Sequence, residues 1–155
     1  MTILKIIEFP ADIIVNPTDN VPTNEIKLSV IQTLIRDMID TCHDSGGLGL
    51  AANQIGVNKS ILVYRTPGTN NYSTLINPVI ISKIGRITSR GEGCLSIPGQ
   101  YFDVKRYKQI KVEALNADGE FGIIKTESKK VAKILQHEID HLNGITLLDN
   151  GKRVD

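Results

Sequence analysis

The residues best suited to chemistry lie near the C-terminal end of the sequence, in the HExxH pattern of residues 137–141. The surrounding segment, Ser128 to Asn143, has the apolar spacing of a helix. Side chains four residues apart share one helix face, so His137 and His141 are predicted to close on one small metal ion. Glu138 lies about 100° further round the helix. Its carboxylate is therefore predicted to lie beside the ion and to take a proton from a metal-bound water.

The alternative for this pattern is a coincidence, in which two core or surface histidines happen to be four residues apart. The sequence contains 3 histidines, and only His43 lies outside the pattern. Because two of the three form a ligand-spaced pair, we favour the metal site over the coincidence.

Composition and charge predict an ordinary globular domain. The 155 residues suit one domain, expected to span residues 1–155, with 41% hydrophobic and 23% charged residues. A formal net charge of +1 gives no reason to expect nucleic acid or an anionic membrane as a partner. No apolar run approaches the ~20 residues that span a bilayer. Two cysteines make no disulfide framework and the N-terminus lacks a secretory signal, so we expect a cytoplasmic protein.

The N-terminal third predicts one long amphipathic helix. Prolines interrupt the first 23 residues and exclude a long helix there. Apolar residues then recur at helical spacing from Val30 to Cys42, with Thr23 or Asn24 as the expected N-cap and the glycine pair at 46–47 as the end. Cys42 continues the apolar stripe and is interpreted as a packed core thiol.

Between this helix and the HExxH helix, the sequence predicts strands. Runs of β-branched and aliphatic residues bounded by turns predict strands at 60–64, 75–81, 84–88, 110–115 and 121–125. Pro78 indicates a bulge or a sheet edge, and Asn116 to Gly119 a hairpin turn. We predict an α+β fold, in which mostly antiparallel strands pack around a central HExxH-bearing helix, with a second long N-terminal helix.

The third metal ligand is predicted to come from upstream of the HExxH pattern. A catalytic site usually has three protein ligands and one open position, and no His or Glu follows His141. Cys94, in the stretch EGCLS, is the best candidate because a thiolate binds zinc or ferrous iron strongly. His43, at the end of a helix, is better explained as a solvated or capping residue. Without the HExxH pattern, Cys94 itself would be explained as a buried inert thiol.

Three stretches together resemble the signature motifs of the peptide deformylase family. They are GLGLAANQ at 47–54, EGCLS at 92–96 and HEIDH at 137–141, and they stand in the family's order and at about its spacing. By itself, the first stretch would be explained equally well as a tightly packed connector or as backbone that approaches a ligand. The resemblance runs from about Ile6 to Asp149.

This resemblance implies a metal-dependent hydrolase that removes the formyl group from the formyl-methionine of new polypeptides and releases formate. It implies that Cys94, His137 and His141 hold one divalent ion, commonly Fe²⁺, which Zn²⁺, Ni²⁺ or Co²⁺ can replace. We expect a monomer whose partners are formyl-methionyl nascent peptides. The sequence leaves no room after HEIDH for the long C-terminal helix that is linked to ribosome docking in many bacterial members. Ribosome binding is therefore left open.

The residues of the three motifs also suggest a mechanism. Glu138 is predicted to accept a proton as metal-bound water attacks the formyl carbon, and to return it to the leaving amine. The side-chain N–H₂ of Gln54 and the backbone N–H of Leu95 are predicted to stabilise the oxyanion. Gly49 lacks a side chain where the substrate passes, so the peptide is predicted to pair there as an added strand.

The predicted pocket for the first substrate side chain is unusually basic. Lys133 and Lys130 precede the first histidine by four and seven residues, on a helix face that is apolar in the family. Arg90 also stands where the family tends to have an apolar residue, which leaves Leu48 and Ile134 as the apolar walls. Either these long side chains snorkel and line the pocket with methylenes, or they form a basic mouth that tolerates acidic residues after the methionine.

One charged residue of the second motif has a predicted partner. In the family, the residue that corresponds to Glu92 pairs with a downstream arginine, and Arg106 stands about where that partner should be.

Two rival functions remain at this stage. An HExxH-type zinc peptidase would need another third ligand, and a non-catalytic metal-binding domain would need neither Glu138 nor an open coordination position. Formate release from formyl-Met-Ala, compared with cleavage of an internal peptide bond, would separate these alternatives.

Overall fold

The computed structural model describes residues 2–126 and 128–154. Two single 3₁₀ turns, at Thr23–Glu25 and Ala52–Ile55, accompany the regular elements. In chain order, the described part of the chain forms α1 (Asp12–Val15), α2 (Ser29–Asp44), β1 (Gly49–Ala51), β2 (Ile61–Arg65), β3 (Tyr72–Cys94), β4 (Ile97–Leu115), β5 (Phe121–Lys125), α3 (Lys129–Leu142), α4 (Leu147–Asn150) and β6 (Gly151–Val154).

The strands form one antiparallel sheet with the order β1-β2-β3-β4-β5, and β6 pairs with β4. The α+β class with mostly antiparallel strands is therefore confirmed. The separate strand predicted at 84–88 is wrong, because these residues lie in the middle of β3 and pair continuously with β4. Backbone pairing with β4 carries β3 through Ser82 and Lys83, the two residues between the predicted runs. Pro78 marks a bulge, with Asn77 at a φ of 52° and a register shift between Ile76 and Val79.

Strand β2 is buried on both faces because each long helix covers one of them. Ile61 and Val63 pack in the same cluster as the apolar face of α2, whereas Leu62 and Tyr64 pack in the cluster that contains α3. Successive strand residues point to opposite faces, so this alternation places β2 between the two helices. The continuous apolar run at 61–64 follows from burial on both sides.

Helix α2 begins later than the sequence predicted. Thr23 and Asn24 lie in the separate 3₁₀ turn and do not cap the helix. The backbone is extended at Leu28, with φ −63° and ψ 143°, which separates that turn from the helix. Cys42 is fully buried in the core, as predicted, and burial raises the pKa of its thiol to about 12.

Helix α3 matches the predicted HExxH helix closely. Its N-cap is Ser128, whose Oγ accepts a hydrogen bond from the backbone N–H of Lys130 at 3.1 Å. Its apolar face packs against the sheet through Val131, Ala132, Leu135, Ile139 and Leu142. This packing fixes the rotation of the helix, and with it the direction of the polar side chains. Within the described residues, no helix is both long and apolar enough to cross a membrane.

Candidate active site

The predicted metal ligands come together where the end of β3 meets α3. Cys94 is the last residue of β3, and its Sγ lies 3.1 Å from Nε2 of His141. Nε2 of His141 lies 3.2 Å from Nε2 of His137, one helical turn away. The three donor atoms all lie within 4.8 Å of one another. His43, in contrast, is exposed near the end of α2, which agrees with its interpretation as a solvated residue.

This donor set fits a divalent metal ion. One thiolate and two imidazoles suit Zn²⁺ or Fe²⁺, and the donor atoms are close enough for one ion to contact all three. Burial lowers the pKa of His137, but hydrogen bonds with Cys94 and Glu92 outweigh it and raise this pKa to about 10. Burial and the nearby His137 hold the pKa of His141 well below its usual value. The cluster therefore favours one positive charge among its donor atoms.

A buried ion pair orients His137 from the side opposite the donor atom. Nδ1 of His137 lies 3.3 Å from Oε2 of Glu92, which leaves Nε2 facing the other donors. Arg106 donates to both carboxylate oxygens of Glu92, at 3.0 and 2.7 Å, so the predicted partner is in place. Burial acts to raise the pKa of Glu92, but the hydrogen bonds from His137 and Arg106 lower it to about 2. A charged carboxylate at this position fixes the ring and its tautomer.

Glu138 lies beside the donor cluster with its carboxylate almost out of water. The residue is 4% exposed, and its Oε2 has no hydrogen-bond partner among the described residues. Burial raises the pKa of this carboxyl to about 7, although nearby His137 and Arg106 act in the opposite direction. A carboxylate with a pKa near neutrality can both accept and return a proton at working pH.

Gly49 provides the space that the Glu138 carboxylate occupies. A Cβ atom added to Gly49 would lie 2.5 Å from Oε1 and 2.7 Å from Cγ of Glu138. The sequence attributed this glycine to the passage of the substrate backbone. The structure gives a different reason, because the general-base candidate itself needs the space.

Gln54 is held so that its amide nitrogen faces the donor cluster. Its Oε1 accepts a hydrogen bond from the backbone N–H of Ala51 at 2.9 Å, which fixes the amide orientation. Its Nε2 donates to Oγ of Ser96 at 3.2 Å and lies 3.6 Å from Sγ of Cys94. Leu95 follows Cys94 in the wall of the same cavity.

A cleft of about 670 Å³ joins these groups to the surface. Strand β1 lies at the edge of the sheet and borders this cleft. The carbonyl of Leu48 accepts from the backbone N–H of Arg65 at 2.9 Å, so the backbone groups of the next residue, Gly49, point away from β2. The cleft is lined by every residue predicted to bind substrate, namely Leu48, Gly49, Arg90, Glu92, Lys130, Lys133 and Ile134.

Three residues that support the site were missed in the sequence. Asn53 donates to the carbonyl of His141 at 2.6 Å and ties the 3₁₀ turn to the end of α3. Ser96 contacts the amide of Gln54, and Asp140 accepts from Arg106. A polar residue inside an apolar stretch, such as Asn53, signals a buried group that needs a partner, but the sequence does not indicate which one.

Known proteins resemble this chain over nearly its whole length. A sequence model described as polypeptide deformylase matches residues 3–155. A peptide deformylase from Desulfitobacterium hafniense is 42% identical over 153 residues, which cover 99% of this chain and 97% of that protein. A peptide deformylase from Aquifex aeolicus is 41% identical, with 95% of this chain and 86% of that protein covered.

Solved structures give the same result. The crystal structure of a peptide deformylase from Legionella pneumophila has a TM-score of 0.88 and 39% identity, and the match covers 96% of this chain and 86% of that one. An Acinetobacter baumannii structure described as a class I type b peptide deformylase has a TM-score of 0.91 and 29% identity, with 97% and 100% covered. From the full-length match and the three motifs, this chain belongs to the polypeptide deformylase family.

Proposed function

We propose that this protein removes the N-formyl group from the N-terminal formyl-methionine of newly made polypeptides, releasing formate and a free amine. The observation that carries this proposal is the convergence of the Cys94, His137 and His141 donor atoms beside the buried carboxylate of Glu138. The zinc peptidase alternative is disfavoured, because the third donor is this cysteine and the relatives are named as deformylases.

In the proposed mechanism, Cys94, His137 and His141 would hold a divalent metal ion, which would supply Lewis-acid chemistry to the formyl carbonyl and to a water molecule. Glu138 takes a proton from the attacking water as the new C–O bond forms at the formyl carbon. It then gives that proton to the leaving nitrogen as the C–N bond breaks. The raised pKa of Glu138, about 7, supports both transfers at neutral pH.

Two donors are proposed to stabilise the oxyanion that develops on the formyl oxygen. Nε2 of Gln54 is held at the edge of the donor cluster through the contact of its carbonyl with Ala51. The second proposed donor is the backbone N–H of Leu95, a residue that follows Cys94 directly in the chain and lines the same cavity. Preorganised donors of this kind stabilise charge in the transition state more than in the ground state.

The substrate is proposed to bind as an added strand on the edge of β1. The outward-facing backbone groups of Gly49 offer it a donor and an acceptor, and the neighbouring cleft takes its first side chain. Leu48 and Ile134 supply the apolar walls that a methionine side chain needs. A relative from Acinetobacter baumannii has been solved with Met-Ala-Ser bound, and β1 is itself three residues long.

The metal and the setting complete the proposal. We infer Fe²⁺ as the natural ion, with Zn²⁺, Ni²⁺ or Co²⁺ as replacements, since the thiolate and two imidazoles accept all of these. The whole chain is proposed to act as one catalytic domain built around α3, and as a cytoplasmic monomer because formylated nascent chains are made in that compartment. The family match to residues 3–155 supports the single domain.

Formate release tests this function directly. The protein, purified without oxygen, should release one formate per formyl-Met-Ala-Ser consumed and leave acetyl-Met-Ala-Ser intact, because the larger acyl group adds a methyl beside the attacked carbon. Cleavage of an internal peptide bond without formate release would instead support the peptidase alternative and overturn the proposal.

A further inference from the structure

Three cations line the cleft that contains the reactive groups. Arg90, Lys130 and Lys133 lie in its wall together with His137 and Glu138. A cleft that served only an aliphatic side chain would not need cations, since apolar walls bind such a side chain more favourably. The positive charge of these side chains therefore indicates that the cleft binds a part of the substrate other than the aliphatic side chain.

The two lysines form a row along α3 that leads away from the metal donors. Lys133 precedes His137 by four residues and is half-buried, and Lys130 precedes it by seven and is exposed. Both spacings place the side chains on the helix face of His137. At 1.5 Å per residue, Lys130 lies about 10 Å along the helix axis from His137.

Two carboxylates near the cleft are already engaged by other groups, whereas the third, Glu138, lies buried beside the metal donors. Glu92 is bound by Arg106 and His137, and Asp140 is bound by Arg106 and Asn150. Within residues 2–126 and 128–154, none of the three cleft cations forms an ion pair. An anionic group of a bound peptide would therefore meet cations that no described carboxylate neutralises.

The direction of β1 fixes which way a bound peptide leaves the reactive groups. A strand added antiparallel to β1, with its formyl end at Glu138, runs past Gly49 toward Leu48. Leu48, Lys130 and Ile134 also line a second cavity of about 450 Å³, which includes Arg65 and the loop at 66–70. Lys130 therefore borders both the cleft and the second cavity, on the side toward which the downstream part of the peptide runs.

The geometry of an extended peptide determines which of its residues lies beside the two lysines. Side chains one and three of an extended peptide share a face, and each residue advances the chain about 3.3 Å. Three residues span about 10 Å, which equals the distance from His137 to Lys130 along α3. We propose that Lys130, together with Lys133, selects peptides whose third residue is acidic. This inference rests on the proposed function, because it places the formyl end at Glu138.

The test compares peptides that differ only in charge at the third residue. We expect formyl-Met-Ala-Asp to have a kcat/KM about fivefold higher than that of formyl-Met-Ala-Asn at low salt. A well-placed but partly exposed ion pair contributes about this much. The ratio should fall toward one in 0.5 M NaCl, because salt screens such pairs. It should also fall toward one in the Lys130→Gln/Lys133→Gln variant.

Lys129→Gln is the matched control, since Lys129 is an exposed lysine on the same helix turn that does not line the cleft. It should keep the wild-type ratio. Binding of the products Met-Ala-Asp and Met-Ala-Asn provides a second measurement that does not need turnover, and the same preference is expected there. Equal kcat/KM and equal binding for the two peptides in wild type would overturn the inference and leave snorkelling lysines as the explanation. Failure of the proposed function would differ from this, because no formate would be released from either peptide.

Discussion

Glu138 is the residue whose surroundings best explain its proposed role. Its carboxylate is buried, its pKa is raised to about 7, and Gly49 leaves space for it beside the metal donors. Because its neighbours His137 and His141 supply the donor atoms, the carboxylate is free to exchange protons. The roles of neighbouring residues on one helix are thus separated by the direction in which each side chain points.

Replacing Glu138 by Gln should leave metal binding intact and remove the proton transfer. We expect kcat to fall by at least about 10²-fold, the usual contribution of general acid–base catalysis, while the metal content stays at the wild-type level. The two quantities would be measured on the same preparation by formate release and by elemental analysis. A fully active variant would contradict the role of Glu138.

The raised pKa of Glu138 also predicts how stability depends on pH in the metal-free protein. Between its usual value of 4.5 and about 7, the unfolded chain releases this proton while the folded chain keeps it, so the free energy of unfolding falls as pH rises. The loss is complete above pH 7 and amounts to about 3 kcal/mol. Urea unfolding should therefore show that the free energy of unfolding of Glu138→Gln rises relative to that of wild type between pH 4.5 and 8. If the difference in free energy of unfolding between the two proteins does not change with pH, the raised pKa of Glu138 is refuted.

At the scale of elements, the packing of β1 against α3 places the proposed base beside the strand edge that is proposed to bind substrate. Gly49 lies on β1 and Glu138 on α3, and the two approach so closely that only a glycine fits. The bulges of β3 contribute in a similar way. Register shifts on both sides of Glu92 carry the end of β3 out of the regular ladder, which aims Glu92 and Cys94 at the helix.

Gly49→Ala should therefore damage the site through this contact. The added Cβ would lie 2.5 Å from Oε1 of Glu138, so the carboxylate must move, and we expect a stability loss of about 1–3 kcal/mol together with a large fall in kcat. Gly122→Ala on β5 is the matched control, because a Cβ there meets no atom within 4 Å. Thermal unfolding and formate release would be measured for both variants. Equal behaviour of the two would show that the close approach does not matter.

At the scale of the whole molecule, the sequence predicted the features that depend on local patterns. The HExxH helix with its N-terminal boundary, the 110–125 hairpin and the bulge at Pro78 all follow from short-range signals. Helix α2 begins later than predicted because an extended residue, Leu28, separates it from the 3₁₀ turn that holds Thr23 and Asn24. Strand β6 and helix α4 were missed because both are only four residues long.

The supporting groups of the site were hidden from the sequence because their partners are far apart in the chain. The contact of Asn53 with His141 spans 88 residues, that of Gln54 with Ser96 spans 42, and that of Asp140 with Arg106 spans 34. Such pairs depend on the three-dimensional packing, and no local pattern encodes them. The motif residues were predictable because their types and spacing already limit the chemistry.

The central claim is that Cys94 completes a metal site with the two histidines, and metal content measures it most directly. Wild type purified without oxygen should hold one metal ion per chain and release formate, whereas Cys94→Ala should lose both, since two imidazoles alone bind a divalent ion weakly. Cys42→Ala, at the other, buried cysteine, is the matched control and should keep its metal. One tightly bound metal ion per chain in Cys94→Ala would contradict the account.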